Sequence, residues 1–240
     1  MSNLSAFGEV SASDLYVSGT TQLHELGELR VDRQGRKFRY CRAGAVALAA
    51  GQLQQAPAQI TTNQNLVVVT GAINSKEIVA TLAAAVVENQ YAGGWVAITV
   101  TPGVGYAYKI KGHAAQSVAT GDVTLALDDI VQVALTTTSR VDLVPNPWNA
   151  VIVSIGGTNT GKIAGVANDV IAIDAYGWLQ TGGACTVLND AGTIVVGNEL
   201  SASNGTVGAV ETEVAGQPNI GHALTGIAAN EYGLVWLTLD

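Results

Sequence analysis

The chain has few charged residues for its length. Lysine, arginine, aspartate and glutamate make up 12% of its 240 residues, about half the share that is usual in globular domains, whereas apolar residues make up 48%. A surface with so little charge is easier to understand when partner subunits cover part of it. The composition therefore favours a protein that works in an assembly, and we expect a homotrimer or another small oligomer.

Long apolar runs are absent as well. The longest, residues 78–87, has about half of the roughly 18 residues that a membrane-spanning helix needs. The first residues, "MSNLSAFGEVSASDLYVSG", have neither the basic start nor the apolar centre of a signal peptide. We therefore expect a soluble protein that is made in the cytoplasm and has no membrane partner.

Residues that carry chemistry are scarce and scattered. The three histidines, at positions 24, 113 and 222, lie in unrelated segments and form no His-x-His or His-x-x-x-His pair, so we expect no metal and no cofactor. Cys185 lies in "GGACTVL", which is typical of an interior strand rather than of a nucleophile. Without a secretory signal, Cys41 and Cys185 are expected to be buried, reduced thiols. No residue is predicted to be catalytic.

Positive charge is concentrated in one segment of an acidic chain. The net charge is −8, which argues against a nucleic-acid partner, and residues 141–240 contain one basic residue, Lys162, against nine acids. Two interpretations remain open: a segment that docks on an acidic protein surface, and an exposed strand whose polar face happens to be basic. Six of the eleven basic residues lie between positions 30 and 42, namely Arg30, Arg33, Arg36, Lys37, Arg39 and Arg42.

The stretch "VIVSIGGTNTGKIAG", residues 151–165, resembles a phosphate-binding loop. Gly156, Gly161 and Lys162 have the spacing of G-x-x-x-x-G-K, but Ile163 stands where Ser or Thr would bind Mg²⁺. A working loop also needs a helix that begins there, and the alternating residues after Lys162 predict a strand instead. We interpret the segment as a glycine-rich turn and expect no nucleotide binding.

Short β patterns separated by turn signals fill the rest of the chain. The clearest is a hairpin of residues 95–100 and 106–111 around "TPGVG". This rhythm predicts an all-β fold, a sandwich or a barrel-like domain of the jelly-roll or a related type, with few or no helices and no repeat of fixed period. Further strands are predicted at residues 36–44, 64–73, 76–82, 123–127, 149–155, 169–173, 177–181, 185–188, 193–196, 208–211 and 232–239.

The predicted domain organisation has two parts. Residues 1–30 mix Ser, Gly and Thr with isolated apolar residues too sparse for a core of their own, so we expect an extended N-terminal arm. Residues 31–240 form a β-rich domain that can divide into two β subdomains. The four tryptophans, at positions 95, 148, 178 and 236, lie on or beside separate strands and are expected in the core or in interfaces.

Three phrases resemble the capsid decoration, or cement, proteins of tailed bacteriophages. They are "GRKFRYCRAGAVALAAGQLQQ" (35–55), "NQYAGGWVAI" with "GVGYAYKIKGHAA" (within 89–115), and "YGWLQTGGACTVLNDAGTIVVG" (176–197). The resemblance extends from about residue 35 to residue 240 and consists of β-strand phrases, not catalytic signatures. It implies a non-enzymatic virion protein on the outer surface of the capsid, bound as a trimer between capsomers of the major capsid protein. The resemblance implies no catalytic residues, because the family has none.

The arm and the basic segment are the predicted contacts with the capsid. Apolar side chains of the arm would enter grooves of neighbouring subunits, and the basic residues would steer the base of the arm toward acidic patches. Two other functions remain open: a receptor-binding or fibre-like virion module whose tryptophans contact host glycans, and a hydrolase of unrecognised fold. The predicted contact residues are Leu4, Phe7, Leu15, Tyr16, Arg30, Arg33, Arg36, Lys37, Arg39 and Arg42.

Overall fold

The computed structural model describes residues 12–240, and these residues form an all-β protein, as the sequence predicts. The helical elements among them are one turn of α-helix, α1 (Ala12–Leu15), and a 3-10 turn (Thr61–Asn63). No helix in this part of the chain is long and apolar enough to cross a membrane.

The strands are short, apart from one of 13 residues. They are β1 (Leu29–Val31), β2 (Lys37–Arg42), β3 (Leu53–Gln55), β4 (Leu66–Thr70), β5 (Glu77–Thr81), β6 (Trp95–Val100), β7 (Ala107–His113), β8 (Asp122–Leu127), β9 (Arg140–Val144), β10 (Ile152–Val153), β11 (Ile163–Ala167), β12 (Tyr176–Leu188), β13 (Glu199–Ala202), β14 (Val210–Thr212), β15 (Asn219–Ala223) and β16 (Tyr232–Thr238).

The chain divides into two compact units, and the second is inserted into the first. Unit 1 consists of the described residues up to Ala58 together with Pro147–Asp240, and unit 2 is Gln59–Asn146. Unit 1 therefore includes residues 12–30, which the sequence assigned to an arm. The sequence analysis found no change in composition at the boundary after Ala58 and did not predict it.

Unit 2 is a closed six-stranded barrel with the order β4-β5-β8-β7-β6-β9. Its strands alternate buried and exposed residues, and the predicted hairpin is present as the antiparallel pair β6–β7. Asn63, which is fully covered, donates to the Tyr91 hydroxyl at 3.1 Å and accepts from the backbone N–H groups of Ala83 and Ala84. This amide connects the loop before β4 to the loop after β5, and the bonds satisfy the polar atoms of a side chain that is itself buried.

Unit 1 is built around the long strand β12 in a ten-stranded sheet. The first half of β12 pairs with β2 and its second half with β16, so one strand connects two packed regions. Separate strands at residues 177–181 and 185–188 were predicted, and this prediction is wrong because the sheet continues through Gly182 and Gly183. A register shift between Gln180 and Gly182 lets the strand change partners without ending.

A turn that sequence reasoning did not find recurs through both units. In each occurrence one residue forms a single β-bridge, and the third residue after it has a positive φ. Left-handed backbone favours glycine, asparagine and aspartate, and only these residues occur at that position. The bridged and positive-φ residues are Leu48 and Gly51, Gly71 and Asn74, Val86 and Asn89, Ile171 and Asp174, Ile194 and Gly197, and Ile227 and Asn230.

In unit 1 these turns form two pairs, and a β-bridge connects the two turns of each pair. Leu48 and Ile171 exchange backbone hydrogen bonds of 2.9 and 3.1 Å, and Ile194 and Ile227 exchange two of 3.0 Å. All four side chains are buried. The predicted strands at 169–173 and 193–196 are therefore wrong, since these segments are turns in which one aliphatic residue enters the core and the backbone then reverses.

The preference for Gly, Asn or Asp at the left-handed position of these turns can be tested at the exposed Asn230 (φ 60°). We expect Asn230→Val to lower the free energy of unfolding by about 1–2 kcal/mol, because a β-branched residue resists the left-handed conformation. Asn230→Gly is expected to leave stability nearly unchanged. Urea unfolding of both variants measures the difference, and equal effects of valine and glycine would contradict this explanation of the turn.

Candidate interaction surface

The six basic residues of positions 30–42, here called the basic segment, lie on β1, β2 and the turn between them. Four of the arginines form ion pairs within the chain. The pairs are Arg30 with Glu28 (2.7 Å), Arg36 with Asp32 (2.7 Å), Arg39 with Asp240 (2.9 Å) and Arg42 with Asp174 (2.5 Å). Lys37 donates to the backbone carbonyl of Asp240, and Arg33 also has an interaction within the chain.

These pairs change the electrostatic character of the basic segment. Two of the four acids, Asp174 and Asp240, come from distant parts of the sequence and bring negative charge directly to the arginines. Because each of these charges lies beside an opposite one, little field extends beyond the Debye length of about 8–10 Å. Of the two interpretations left open by the sequence, the geometry favours a strand with a basic polar face, four of whose six cations are paired with carboxylates of the same chain, over a free positive patch.

Asp240 is held by a cluster of cations and an aromatic ring. Arg39 donates to its carboxylate through Nε at 2.9 Å and Nη2 at 3.0 Å. The Arg39 guanidinium and the Lys162 ammonium each lie 4.9 Å from the centre of the Trp148 ring. Burial alone would raise the pKa of the Asp240 carboxyl, but the hydrogen bonds from Arg39 and the charges of Arg39 and Lys162 outweigh it and hold the pKa below its usual value.

This lowered pKa predicts a pH-dependent contribution to stability. The contribution is present above the unfolded-state pKa, about 3.9, and is lost as the pH falls through the lower folded-state pKa. We expect Asp240→Asn to cost about 1 kcal/mol or less at neutral pH, as for exposed ion pairs. Urea unfolding across a pH series should show the difference from wild type vanish in acid, and a constant difference would contradict the assigned role.

Leu15 and Gly19, within the predicted arm, contact β2 and β12 of their own chain. Leu15 is buried with Phe38, Tyr40 and Trp178, and Gly19 exchanges backbone hydrogen bonds of 3.0 and 2.8 Å with Tyr176. The prediction that Leu15 enters a neighbouring subunit therefore conflicts with the structure, because its side chain is already covered by its own chain. Tyr16 is 45% exposed and accessible. Leu4 and Phe7 lie outside the described residues.

The cysteines are buried, free thiols, as predicted. Burial raises the pKa of Cys41 well above its usual value and that of Cys185 to about 12, so almost no thiolate forms at neutral pH. Neither side chain has the ionised form that nucleophilic chemistry needs. The described residues contain no group of three or more His, Cys, Asp or Glu side chains placed to hold a metal ion.

The segment that resembles a phosphate loop leads into a strand. β11 begins at Ile163, immediately after Lys162, which confirms the predicted strand and removes the helix N-terminus that a phosphate would need. Gly161 has a packing role, because a Cβ there would lie 2.3 Å from the carbonyl oxygen of Ala56. Lys162 is directed to the Trp148 ring.

An exposed apolar row on β16 is the surface feature that sequence reasoning missed. Tyr232, Leu234 and Trp236 are 53%, 39% and 44% exposed, whereas the alternate residues Val235 and Leu237 are buried. We call these three exposed side chains the apolar row. The signal was present in "YGLVWLTL", where apolar residues occupy both faces of one strand although a strand with one solvated face should alternate with polar residues.

The tryptophans divide between buried and exposed positions. Trp178 is buried and Trp148 lies beneath the Arg39 and Lys162 cations, whereas Trp95 and Trp236 are nearly half exposed on strands.

Comparisons with protein families, with curated proteins and with solved structures found no match to this chain. Its own surface, with the apolar row as the main candidate contact, therefore carries the functional argument.

Proposed function

We propose that this chain is a structural virion protein that decorates and stabilises the outer surface of a tailed-phage capsid. It binds as a homotrimer between capsomers of the major capsid protein. The observation that carries the proposal is the apolar row: three large apolar side chains share one exposed strand face in a chain of very low charge. Contiguous exposed apolar residues mark surfaces that bind other proteins. The resemblance of the sequence to capsid decoration proteins names the partner.

The ion pairs of the basic segment indicate how capsid binding would respond to salt. Electrostatic steering requires charges that are not cancelled by an opposite charge beside them. Four arginines of the basic segment already form ion pairs with carboxylates of their own chain. Apolar burial contributes roughly 25 cal/mol per Å² and is not screened by salt. We therefore expect apolar contacts to dominate capsid binding, with ionic strength having little effect. This replaces the salt-sensitive steering that the sequence suggested.

The N-terminal contribution can be tested with a short deletion. Removing residues 1–28 would also remove Leu15 and the pairing of Gly19 with Tyr176, so loss of folding would obscure the result. Deleting residues 1–11 spares these contacts. We expect the shortened chain to keep the wild-type melting temperature and to bind capsids about tenfold more weakly, in a co-sedimentation assay. Undiminished binding would show that Leu4 and Phe7 make no capsid contact.

Two observations bear on the other candidate functions. A glycan-contacting fibre module would use exposed tryptophans, and Trp95 and Trp236 are the two that are accessible. A hydrolase would need an activated nucleophile, and the pKa of each thiol is raised instead of lowered. Neither observation favours its candidate over capsid decoration.

The location of the protein tests the proposal directly. Mass spectrometry of purified virions and immunogold labelling with an antibody against the chain are expected to find it in many copies on the outer surface of the head. A chain absent from virions, present only in the tail, or accessible to antibody only after the head is opened would overturn the proposal.

A further inference from the structure

A cleft in unit 1, separate from the charged contacts around Asp240, has the lining of a small-molecule site. Its volume is about 480 Å³, within the range of roughly 300–1,000 Å³ of ligand pockets. Two exposed aromatic side chains, Tyr16 and Tyr232, contribute to its walls together with Leu234. The polar groups that line it are Arg36, Asn168, Gln180, Cys185 and Thr186.

The Tyr232 ring is held in place by a close backbone approach. Gly51 lies against it so tightly that a Cβ on Gly51 would be 2.6 Å from the Tyr232 Cε1 atom. Gly51 is also one of the positive-φ residues of the recurring turn, with φ 71°. The turn therefore creates a flat backbone support for an aromatic ring, and more than half of the tyrosine remains exposed.

The amide groups of the cleft are oriented by a chain of hydrogen bonds. Gln180, which is fully buried, donates to the carbonyl oxygens of Gly182 and Ala184, and its Oε1 accepts from Asn168 Nδ2 at 2.9 Å. The Cys185 thiol lies 3.6 Å from Asn168 Oδ1. Asn168 is thereby fixed with its amide at the cleft, where a second N–H of Nδ2 remains to donate, since an amide nitrogen has two.

The cleft is close to electrically neutral. Among the described residues that line it, Arg36 is the one cation, and Asp32 accepts from both the backbone N–H (2.9 Å) and the Nε (2.7 Å) of Arg36. An arginine that is already paired is a weak anchor for a second anion, so an anionic ligand gains little here. It can still donate hydrogen bonds to uncharged groups.

We infer that this cleft binds an uncharged saccharide. The C–H face of a pyranose ring packs on tyrosine, as apolar surfaces pack on aromatic rings, and its hydroxyl groups pair with the amide of Asn168, the guanidinium of Arg36 and the hydroxyl of Thr186. The paired state of Arg36 selects a neutral sugar over an acidic one. The cleft shares Tyr232 and Leu234 with the apolar row but does not use the exposed tryptophans, and the saccharide test below needs no capsid.

Saturation-transfer NMR on the full chain tests the inference, with the methyl glycosides of glucose, galactose, mannose and N-acetylglucosamine as probes and methyl glucuronide as the charged comparison. We expect at least one neutral glycoside to bind with a millimolar Kd. Tyr232→Ala should weaken it about tenfold, and Trp236→Ala, an equally exposed aromatic residue outside the cleft on the same strand face, should leave it unchanged.

Each other outcome overturns the inference. No transfer to any neutral glycoside excludes a saccharide site, and binding of the glucuronide alone indicates an anion site at Arg36. Binding that survives Tyr232→Ala, or that is lost in Trp236→Ala, places the sugar outside the cleft. If Tyr232→Ala does not fold, Tyr16→Ala is the deciding variant, and the same loss is expected.

Discussion

Replacing Ile194 with alanine is expected to lower the free energy of unfolding by about 3 kcal/mol. Ile194 is 1% exposed and belongs to the core cluster of unit 1 that also contains Ile227. Its backbone exchanges two hydrogen bonds with Ile227, so the turn cannot move easily to fill the space left by the lost side chain. Truncation of a buried isoleucine removes transfer free energy and leaves a cavity, which together cost about 2–5 kcal/mol.

The neighbouring residue provides a matched control. Val195 follows Ile194 in the same turn but is 59% exposed, so Val195→Ala is expected to change stability by less than about 0.5 kcal/mol. Equilibrium unfolding in urea measures both variants against wild type. If the two substitutions have similar effects, the conclusion that the buried aliphatic residue of this turn contributes to the core of unit 1 is wrong.

The double substitution Leu234→Ser with Trp236→Ser is expected to weaken capsid binding more than tenfold. Both side chains belong to the apolar row, and losing two central apolar contacts in an interface commonly costs about 2–4 kcal/mol. Because both are exposed in the free protein, its melting temperature should change little. The weakening should be the same at low and high ionic strength, since it comes from apolar burial.

A second pair of exposed apolar residues serves as the control for this experiment. Val195→Ser with Val196→Ser changes two side chains that are 59% and 62% exposed but lie in a turn and not on the β16 strand. This control should bind capsids as wild type does. Equal loss of binding in both double variants would mean that general surface polarity, and not the apolar row, determines the interaction.

Strands with one buried face could be predicted from the sequence. The hairpin of β6 and β7 and the strand β5 were predicted from their residue patterns and turn signals, and the structure contains all three strands, with a buried residue at every second position over most of their length. The predicted strands at 169–173 and 193–196 failed because a buried aliphatic residue in a turn has the same local pattern as one in a strand. The distinguishing signal lay three residues after the bridge, at Asp174 and Gly197, where the backbone is left-handed.

The surroundings of the basic segment and of Leu15 were harder to predict from the sequence than the fold. Six basic residues within 13 positions suggest a positive patch, but two of the four acids that pair with them, Asp174 and Asp240, approach only when segments far apart in sequence come together. Leu15 was likewise assigned to an arm because the apolar residues of the first 30 positions are too sparse for a core of their own, whereas its neighbours in space are Phe38, Tyr40 and Trp178. Contacts between distant segments determined both outcomes.

Binding of the purified chain to capsids assembled without it is the measurement that tests the central claim most directly. Capsids are incubated with increasing amounts of the chain and sedimented; bound copies are counted, and the temperature at which decorated capsids rupture is compared with that of bare ones. The account predicts saturable binding in multiples of three copies, little affected by ionic strength, with a higher rupture temperature. Absence of binding, or saturable binding that leaves the rupture temperature unchanged, would contradict it.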